Sequence, residues 1–314
     1  MNHKTGFVTV IGRPNVGKST LVNALLGEKI AITSPRPQTT RSNMRAILST
    51  DDYQIIFIDT PGIYSPKNKL GELMTEAAKK SLEGVDAVIY MCDATDRTFL
   101  SADRKITELI RAAGKPAIAL INKIDAVPKE ALLERIATLA GEYDFKDIIP
   151  VSALKEDGLD IVVDSIVKLL PEGEELYDRD YLTDTSVRDI AADIIREKIL
   201  LFTKDEVPHG TGVEIIRFIE SENGGPVHID ATIYCEKNSH KSIILGKDGA
   251  MLGKIGSRAR EDIQKITGCP VNLKLFVKVR ENWRNNNGFL HDQGFGDKEL
   301  RVKSSELRVQ RRTE

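Results

Sequence analysis

Short apolar runs alternate with longer amphipathic stretches over the first half of the chain. The runs are nearly continuously apolar, as strands covered on both faces are, and predict strands over Phe7–Ile11, Gln54–Ile58, Ala87–Cys92, Ala117–Ile121 and Ile148–Val151. Helical periodicity between them predicts helices over Ser19–Leu26, Leu73–Leu82, Ser101–Ala113, Lys129–Ala140 and Leu159–Leu169. Alternation of this kind predicts an α/β domain with a mostly parallel sheet, helices on both faces, and ligands at the carboxyl ends of the strands.

The pattern changes after a polar stretch that contains Pro and Gly, residues 171–175. The order becomes helix, strand, strand, helix, helix, strand, which predicts a separate, smaller α+β domain. Its first helix begins with a capping box at Ser186, and its last strand alternates apolar and polar residues over Val271–Val279. We therefore predict a first domain over 1–170, a linker over 171–184, a second domain over 185–295 and a tail over 296–314.

Composition places the chain among globular proteins, with 41% apolar residues and a mean hydropathy of −0.24. The net charge of −2 excludes a protein that coats nucleic acid by bulk charge, but it hides a basic stretch, Lys237–Arg280, with ten basic and three acidic residues. Three separated cysteines fit a reducing compartment, and no apolar run approaches the roughly 18 residues of a membrane span. We expect a cytoplasmic protein.

A phosphate-binding motif follows the first predicted strand. Residues 12–19 fit G-x-x-x-x-G-K-[ST] and stand between a strand and a helix, where the motif requires them. The glycines let backbone N–H groups surround phosphates, Lys18 neutralises the outer two, and the Ser19 hydroxyl is suited to ligate Mg²⁺. The predicted nucleotide contacts here are Gly12, Asn15, Val16, Gly17, Lys18, Ser19 and Thr20.

A second motif, Asn122-Lys123-Ile124-Asp125, predicts a guanine base. The Asp125 carboxylate is able to accept two hydrogen bonds from guanine N1 and the exocyclic amine, a pattern that adenine does not offer. We expect Asn122 to tie this loop to the phosphate loop and the Lys123 stem to cover a face of the base. Backbone N–H groups of the stretch Ser152, Ala153 and Leu154 are expected to face guanine O6.

Residues that sense the outermost phosphate are predicted in two further segments. Asp59 ends a strand and is placed to hold Mg²⁺ through water, while the Gly62 N–H is placed to meet the γ-phosphate. Thr40 follows a polar segment broken by prolines, residues 34–38, which suits a switch loop. We predict Thr40 as the Mg²⁺ ligand that engages with the triphosphate, with Thr39 as the alternative.

Together these motifs resemble the translation-factor-class P-loop GTPases of the Era and MnmE-like group. The resemblance implies GTP and GDP as ligands, Mg²⁺ as cofactor, and a catalytic set of Lys18, Asn15, Thr40 and Gly62. Small GTPases place a Gln after the Asp-Thr-Pro-Gly motif, but this chain has Ile63. Backbone groups, a partner or a monovalent cation must then assist hydrolysis. Because an Asn at the position of Asn15 helps to bind K⁺ in some relatives, the resemblance adds K⁺ as a candidate cofactor.

The second domain contains a Gly-x-x-Gly turn between two predicted helices. The motif is weak by itself, since a second copy occurs at Gly253–Gly256, but the element order is that of a type II KH domain and the basic stretch coincides with it. The candidate residues for contact with single-stranded RNA are Gly246, Lys247, Asp248, Gly249, Lys254 and Arg258, with apolar support from Ile243 and Leu252. For Trp283, packing and stacking on a base both remain open.

The pairing of the two domains resembles the Era family over residues 6 to about 295. The resemblance implies a monomer that binds the 3′ end of 16S ribosomal RNA and assists assembly and maturation of the 30S subunit, and it leaves peripheral contact with the inner membrane surface open. Two alternatives are a GTPase that drives RNA modification and a protein that recruits partners at a membrane. The sequence offers no further catalytic constellation for the first and no lipidation motif for the second. The tail from residue 297 reads as a helical arm or a disordered end.

Overall fold

The computed structural model describes residues 3–96, 98–221 and 225–296. The chain divides into two compact units, the first extending to Asp184 without Lys67–Leu70, and the second beginning at Thr185. The tail from residue 297 lies outside the described residues. Among the helices that are described, none is long and apolar enough to span a bilayer.

The first unit is a six-stranded sheet in the order β2-β3-β1-β4-β5-β6, with β2 antiparallel to β3 and the other pairs parallel. The strands are β1 (Lys4–Gly12), β2 (Met44–Ser49), β3 (Tyr53–Asp59), β4 (Ala87–Asp93), β5 (Ala117–Asn122) and β6 (Ile148–Pro150). The helices are α1 (Lys18–Leu26), α2 (Lys69–Lys80), α3 (Ser101–Ala113), α4 (Lys129–Glu142) and α5 (Leu159–Leu169).

Burial explains why the strands of this sheet are readable in the sequence. The apolar residues of β4 and β5 are almost fully buried, and every side chain of β5 is buried, as the central strands of a parallel sheet require. All five predicted strands and all five predicted helices are present, within a few residues of the expected bounds. The prediction of strict alternation missed β2, because this edge strand follows a long loop and is joined to β3 by a turn instead of a helix.

Residues 171–184, predicted as a linker, lie along the β2 edge of this sheet. The Ile47 N–H of β2 donates to the Leu182 carbonyl at 2.8 Å. The fully buried Gln54 accepts from the Leu176 N–H at 2.8 Å through its side-chain oxygen. The stretch therefore packs as part of the first unit.

The second unit has a three-stranded sheet in the order β7-β8-β9, with β7 and β8 antiparallel and β8 and β9 parallel. Its elements are α6 (Val187–Phe202), β7 (Thr211–Ile219), β8 (Val227–Cys235), α7 (Asn238–Leu245), α8 (Ala250–Thr267), β9 (Val271–Val279) and α9 (Asn287–Asp292). The predicted order of elements is confirmed, and α9 is added after the last predicted strand.

Apolar stripes hold this unit together. Alternate residues of β8, from Ile229 to Cys235, are fully buried, and the predicted stripe of α6 is buried along its length. The Ser186 hydroxyl accepts from the Asp189 N–H at 3.1 Å, which confirms the predicted cap of α6. Trp283 is buried, and its indole N–H donates to the Gly210 carbonyl at 3.0 Å. Its role in this structure is therefore packing, which favours the packing alternative over stacking on a base.

Candidate functional site

The phosphate-binding loop joins the end of β1 to the start of α1. Its backbone enters the left-handed region at Asn15 (φ 64°) and Gly17 (φ 104°). A Cβ on Gly12 would lie 2.3 Å from the Met91 carbonyl oxygen, and one on Gly17 would lie 2.2 Å from the Asn122 amide nitrogen. Both glycines are therefore required by close approach of neighbouring atoms, and the loop keeps its N–H groups open toward a ligand.

Lys18 begins α1 with its side chain buried beneath this loop. Its ammonium donates to the Gly12 carbonyl at 3.3 Å and to the Arg13 carbonyl at 3.0 Å. Burial lowers the pKa of Lys18 to about 8, with the Asp59 carboxylate opposing part of that shift. A phosphate anion bound in the loop would stabilise the charged form of this buried ammonium, which Asp59 stabilises only in part.

Three oxygen-bearing side chains meet beside Lys18. The Ser19 hydroxyl donates to Asp59 Oδ2 at 2.7 Å and lies 2.9 Å from the Thr40 hydroxyl, which lies 3.3 Å from the same carboxylate oxygen. Hydroxyl and carboxylate oxygens are the donors that Mg²⁺ prefers, so this set fits that ion. The Thr39 hydroxyl instead donates to the Arg36 carbonyl, which favours Thr40 over Thr39 as the ligand.

The base-recognition loops meet at the carboxyl ends of β5 and β6. Asn122 donates to the Val16 carbonyl at 2.8 Å and accepts from the Ala153 N–H at 2.9 Å, so it ties both loops to the phosphate loop as predicted. The Ser152 hydroxyl donates to Asp125 Oδ1 at 2.5 Å, which orients the carboxylate. Leu154, the last predicted contact, is exposed.

Lys123 has an acidic partner that the sequence motifs did not predict. Asp93, the last residue of β4, forms an ion pair with the Lys123 ammonium. Burial alone would raise the pKa of Asp93, but hydrogen bonds from Lys123 and Thr95 outweigh it and hold that pKa below its usual value. Its position directly after a buried strand, at the sheet edge that carries the other motifs, is the signal that could have found it.

The loop after β3 lies against the phosphate loop. A Cβ on Gly62 would lie 2.6 Å from the Pro14 backbone, and the Ile63 N–H donates to the Gly12 carbonyl at 3.1 Å. The Ile63 side chain is buried and has no group able to orient water. Asn15 of the phosphate loop is exposed, and its amide donates to the Pro35 carbonyl at 2.9 Å.

The Gly-x-x-Gly turn of the second unit is exposed between α7 and α8. Positive φ values occur at Gly246 (71°), Asp248 (52°) and Gly249 (80°). A Cβ on Gly246 would lie 2.7 Å from Met251 Cβ, whereas nothing lies within 4 Å of one on Gly249. Glycine is thus needed for both packing and backbone conformation at the first position and for backbone conformation at the second, and the turn stays open to a phosphate backbone.

The basic side chains predicted for RNA contact differ in their exposure and in the groups that their charges contact. Lys247 is exposed in the turn, and the Lys254 ammonium lies over the Phe202 ring, 4.3 Å from its centroid. Arg258 is exposed but pairs with Glu261 at 2.8 Å. Ile243 is half-exposed, and Leu252 is partly buried. Of the three predicted basic contacts, Lys247 and Lys254 are therefore the two that no ion pair among the described residues neutralises.

Comparison with known proteins agrees with both halves of this geometry. Residues 7–123 match the family model described as 50S ribosome-binding GTPase, and residues 206–284 match that of the KH domain. GTPase Era of Thermoanaerobacter sp. strain X514 is 50% identical, over 94% of this chain and 97% of the relative. The chain belongs to the Era family of GTPases. Another member, from Caldanaerobacter subterraneus subsp. tengcongensis, is also 50% identical over 94% of this chain and 99% of its own.

Solved Era structures share the architecture as well. Era in complex with MgGDPNP and nucleotides 1506–1542 of 16S ribosomal RNA superposes with a TM-score of 0.90 at 41% identity, over 94% of this chain and all of that one. An Era variant from Aquifex aeolicus bound to GDP·AlF4⁻ gives 0.90 at 40% identity, with the same coverage. The predicted fold, a P-loop GTPase domain followed by a KH domain, is confirmed, and as an Era-family member the chain is a GTP-hydrolysing enzyme.

Proposed function

We propose that this chain is a GTP-dependent switch whose KH domain binds the single-stranded 3′ end of 16S ribosomal RNA and which assists 30S subunit assembly and maturation. The observation that carries the proposal is the presence, in one chain, of a guanine-nucleotide site and an open Gly-x-x-Gly turn. The solved Era structure that matches this chain over both domains contains MgGDPNP and a segment of 16S rRNA in the same complex.

The nucleotide half of the proposal rests on Lys18, Asp125 and the Ser19–Thr40–Asp59 cluster. Lys18 would pair with the outer phosphates, and Asp125 would read guanine N1 and its amine. Mg²⁺, held by Ser19 and Thr40 and through water by Asp59, would offset the negative charge of the phosphates. Because Thr40 would bind Mg²⁺ only when the triphosphate is present, loss of the γ-phosphate would release the segment that carries Thr40.

The RNA half rests on the exposed turn and the exposed lysines Lys247 and Lys254. A KH turn clamps about four nucleotides through their backbone, and cations beside it add affinity that falls with salt. The exposed fraction of Ile243, 48%, offers apolar surface next to the turn for a base.

Ultraviolet crosslinking to 16S rRNA with GTP or GDP present tests this proposal. We expect crosslinks at the rRNA 3′ end that depend on the nucleotide and are lost in Gly246→Asp and Gly249→Asp. Gly268→Asp is the matched control, because Gly268 ends α8 with φ 68° and open space, so the same charge is added away from the turn. Crosslinks to other RNA, or loss in the control as well, would contradict the proposed interface.

We also propose that K⁺ assists hydrolysis through Asn15. The buried Ile63 offers no group for the attacking water, while Asn15 is exposed at the loop and carries a carbonyl oxygen, a donor that K⁺ accepts. Turnover in K⁺ should exceed turnover in Na⁺ for the unmodified chain, and Asn15→Ala should equalise the two. Equal rates in the unmodified chain would remove the idea.

Finally, we propose that the chain acts as a monomer in the cytoplasm, with peripheral contact to the inner membrane surface as the open alternative. Sedimentation of the full chain measures the first point. Cosedimentation with anionic vesicles, with GTP or GDP present, measures the second.

A further inference from the structure

A charged cluster joins the phosphate-binding loop to the start of α3. The Arg13 guanidinium donates from Nε to Asp103 Oδ1 at 3.0 Å and pairs through Nη2 with Asp96. Asp103 is completely buried, whereas the side chains of Arg13 and Asp96 are 18% and 23% exposed. Arg13 therefore directs its charge toward α3, where it neutralises a buried carboxylate.

Asp103 is a fixed anchor for this pair. Besides Arg13, its carboxylate accepts from the Tyr90 hydroxyl at 2.8 Å and from the Leu100 N–H at 3.1 Å. Tyr90 is buried in β4, at the centre of the sheet. A side chain bonded to Asp103 is thus held by the core of the domain.

The main chain of Arg13 connects this anchor to Lys18. Its carbonyl accepts from the Lys18 ammonium at 3.0 Å, the shorter of the two bonds that hold that ammonium to the loop. Pro14 follows, and a residue before proline is restricted to extended backbone, so the ψ torsion that sets the direction of the Arg13 carbonyl has little freedom. The side-chain anchor and the restricted backbone therefore act together on Arg13, whose carbonyl oxygen orients Lys18.

We propose that Arg13 is a positioning residue for GTP binding: its ion pairs with Asp103 and Asp96 fix the backbone carbonyl that holds Lys18 in place for the phosphates. This role concerns the family's GTPase activity and is independent of RNA and of K⁺. It predicts that the effect of Arg13 on nucleotide affinity passes through Lys18.

A double-mutant cycle on the full chain tests the proposal, with the affinity for fluorescently labelled GDP as readout. We expect Arg13→Ala to weaken GDP binding about tenfold, the equivalent of one charge-assisted hydrogen bond. In the Lys18→Ala background the same change should have no further effect. Arg13→Lys should recover part of the affinity, because one ammonium is able to pair with only one carboxylate well.

Two further variants keep the test decisive. Arg104→Ala is the matched control, since Arg104 lies beside Asp103 on α3 but forms an exposed pair with Glu142; it should bind GDP normally. If Arg13→Ala does not fold, Asp96→Asn replaces it, with an expected loss of about threefold that again vanishes with Lys18→Ala. The proposal would be overturned if Arg13→Ala, or its replacement Asp96→Asn, weakened GDP binding by the same factor with Lys18→Ala as without it. Unchanged GDP affinity in a folded Arg13→Ala variant would overturn it as well.

Discussion

Gly17 and Asn122 are coupled by contact, and this coupling is measurable. Replacing Gly17 by Ala places a Cβ at φ 104°, which costs about 1–2 kcal/mol for the left-handed backbone. The same Cβ would stand 2.2 Å from the Asn122 amide nitrogen, and overpacking of this kind costs about 1–3 kcal/mol more. We expect Gly17→Ala to lower the free energy of unfolding by about 3 kcal/mol in total.

Asn122→Ala removes the clashing amide but leaves the Val16 carbonyl and the Ala153 N–H without their buried partner. That change should cost about 2–4 kcal/mol by itself. In its background, Gly17→Ala should cost only the backbone part, about 1–2 kcal/mol. The two substitutions should therefore be less destabilising together than the sum of their separate effects, by about 2 kcal/mol.

Urea unfolding of the nucleotide-free chain, followed by circular dichroism, measures these values. Gly114→Ala is the control, because Gly114 has φ 64° but nothing within 4 Å of an added Cβ; it should lose only the backbone part, about 1–2 kcal/mol. Trp283 is the single tryptophan and lies in the second unit, so the transition seen by its fluorescence should not move. Strictly additive losses, or a Gly17→Ala variant no less stable than Gly114→Ala, would refute the argument.

Two other outcomes follow from single contacts. Asp125→Asn should shift nucleotide preference from guanosine to xanthosine diphosphate by roughly 10–100-fold in competition binding, because the amide offers a donor where guanine needs an acceptor; unchanged guanine preference would contradict the base-reading role. Trp283→Phe should lower the unfolding free energy of the second unit by about 1–3 kcal/mol, since it leaves the buried Gly210 carbonyl unpaired. GDP affinity should stay the same in that variant, and a loss would mean that Trp283 serves the nucleotide site.

The nucleotide motifs were predictable because their chemistry is local. Residues 12–19 need one strand, one turn and one helix, and the geometry of that turn follows from its glycines. The tie from Asn122 to the phosphate loop was predictable too, since parallel strands bring their carboxyl ends to one edge. Pairings that depend on side-chain packing were not: Arg13 and Asp103 are 90 positions apart, and no periodicity links them.

Edges and chain ends account for the remaining misses. β2 pairs on one side with β3 and on the other meets a polar stretch that reads as a linker, so its burial depends on residues more than 130 positions away. In the second unit, the order of elements was readable from apolar periodicity. The burial of Trp283 was not, because its ring lies against Gly212 of β7 and Phe289 of α9, and α9 is too short to predict.

The stretch along β2 also affects how the first unit behaves when it is separated from the second. An open edge strand offers unpaired N–H and C=O groups to other molecules and promotes aggregation. Here the Ile47 N–H is bonded to Leu182, and the Arg45 carbonyl is bonded to the Thr183 hydroxyl. A GTPase domain that ends at Leu170 would lack residues 171–184, so its β2 edge would be exposed and the domain would self-associate. A domain that ends at Asp184 would keep the β2 edge covered.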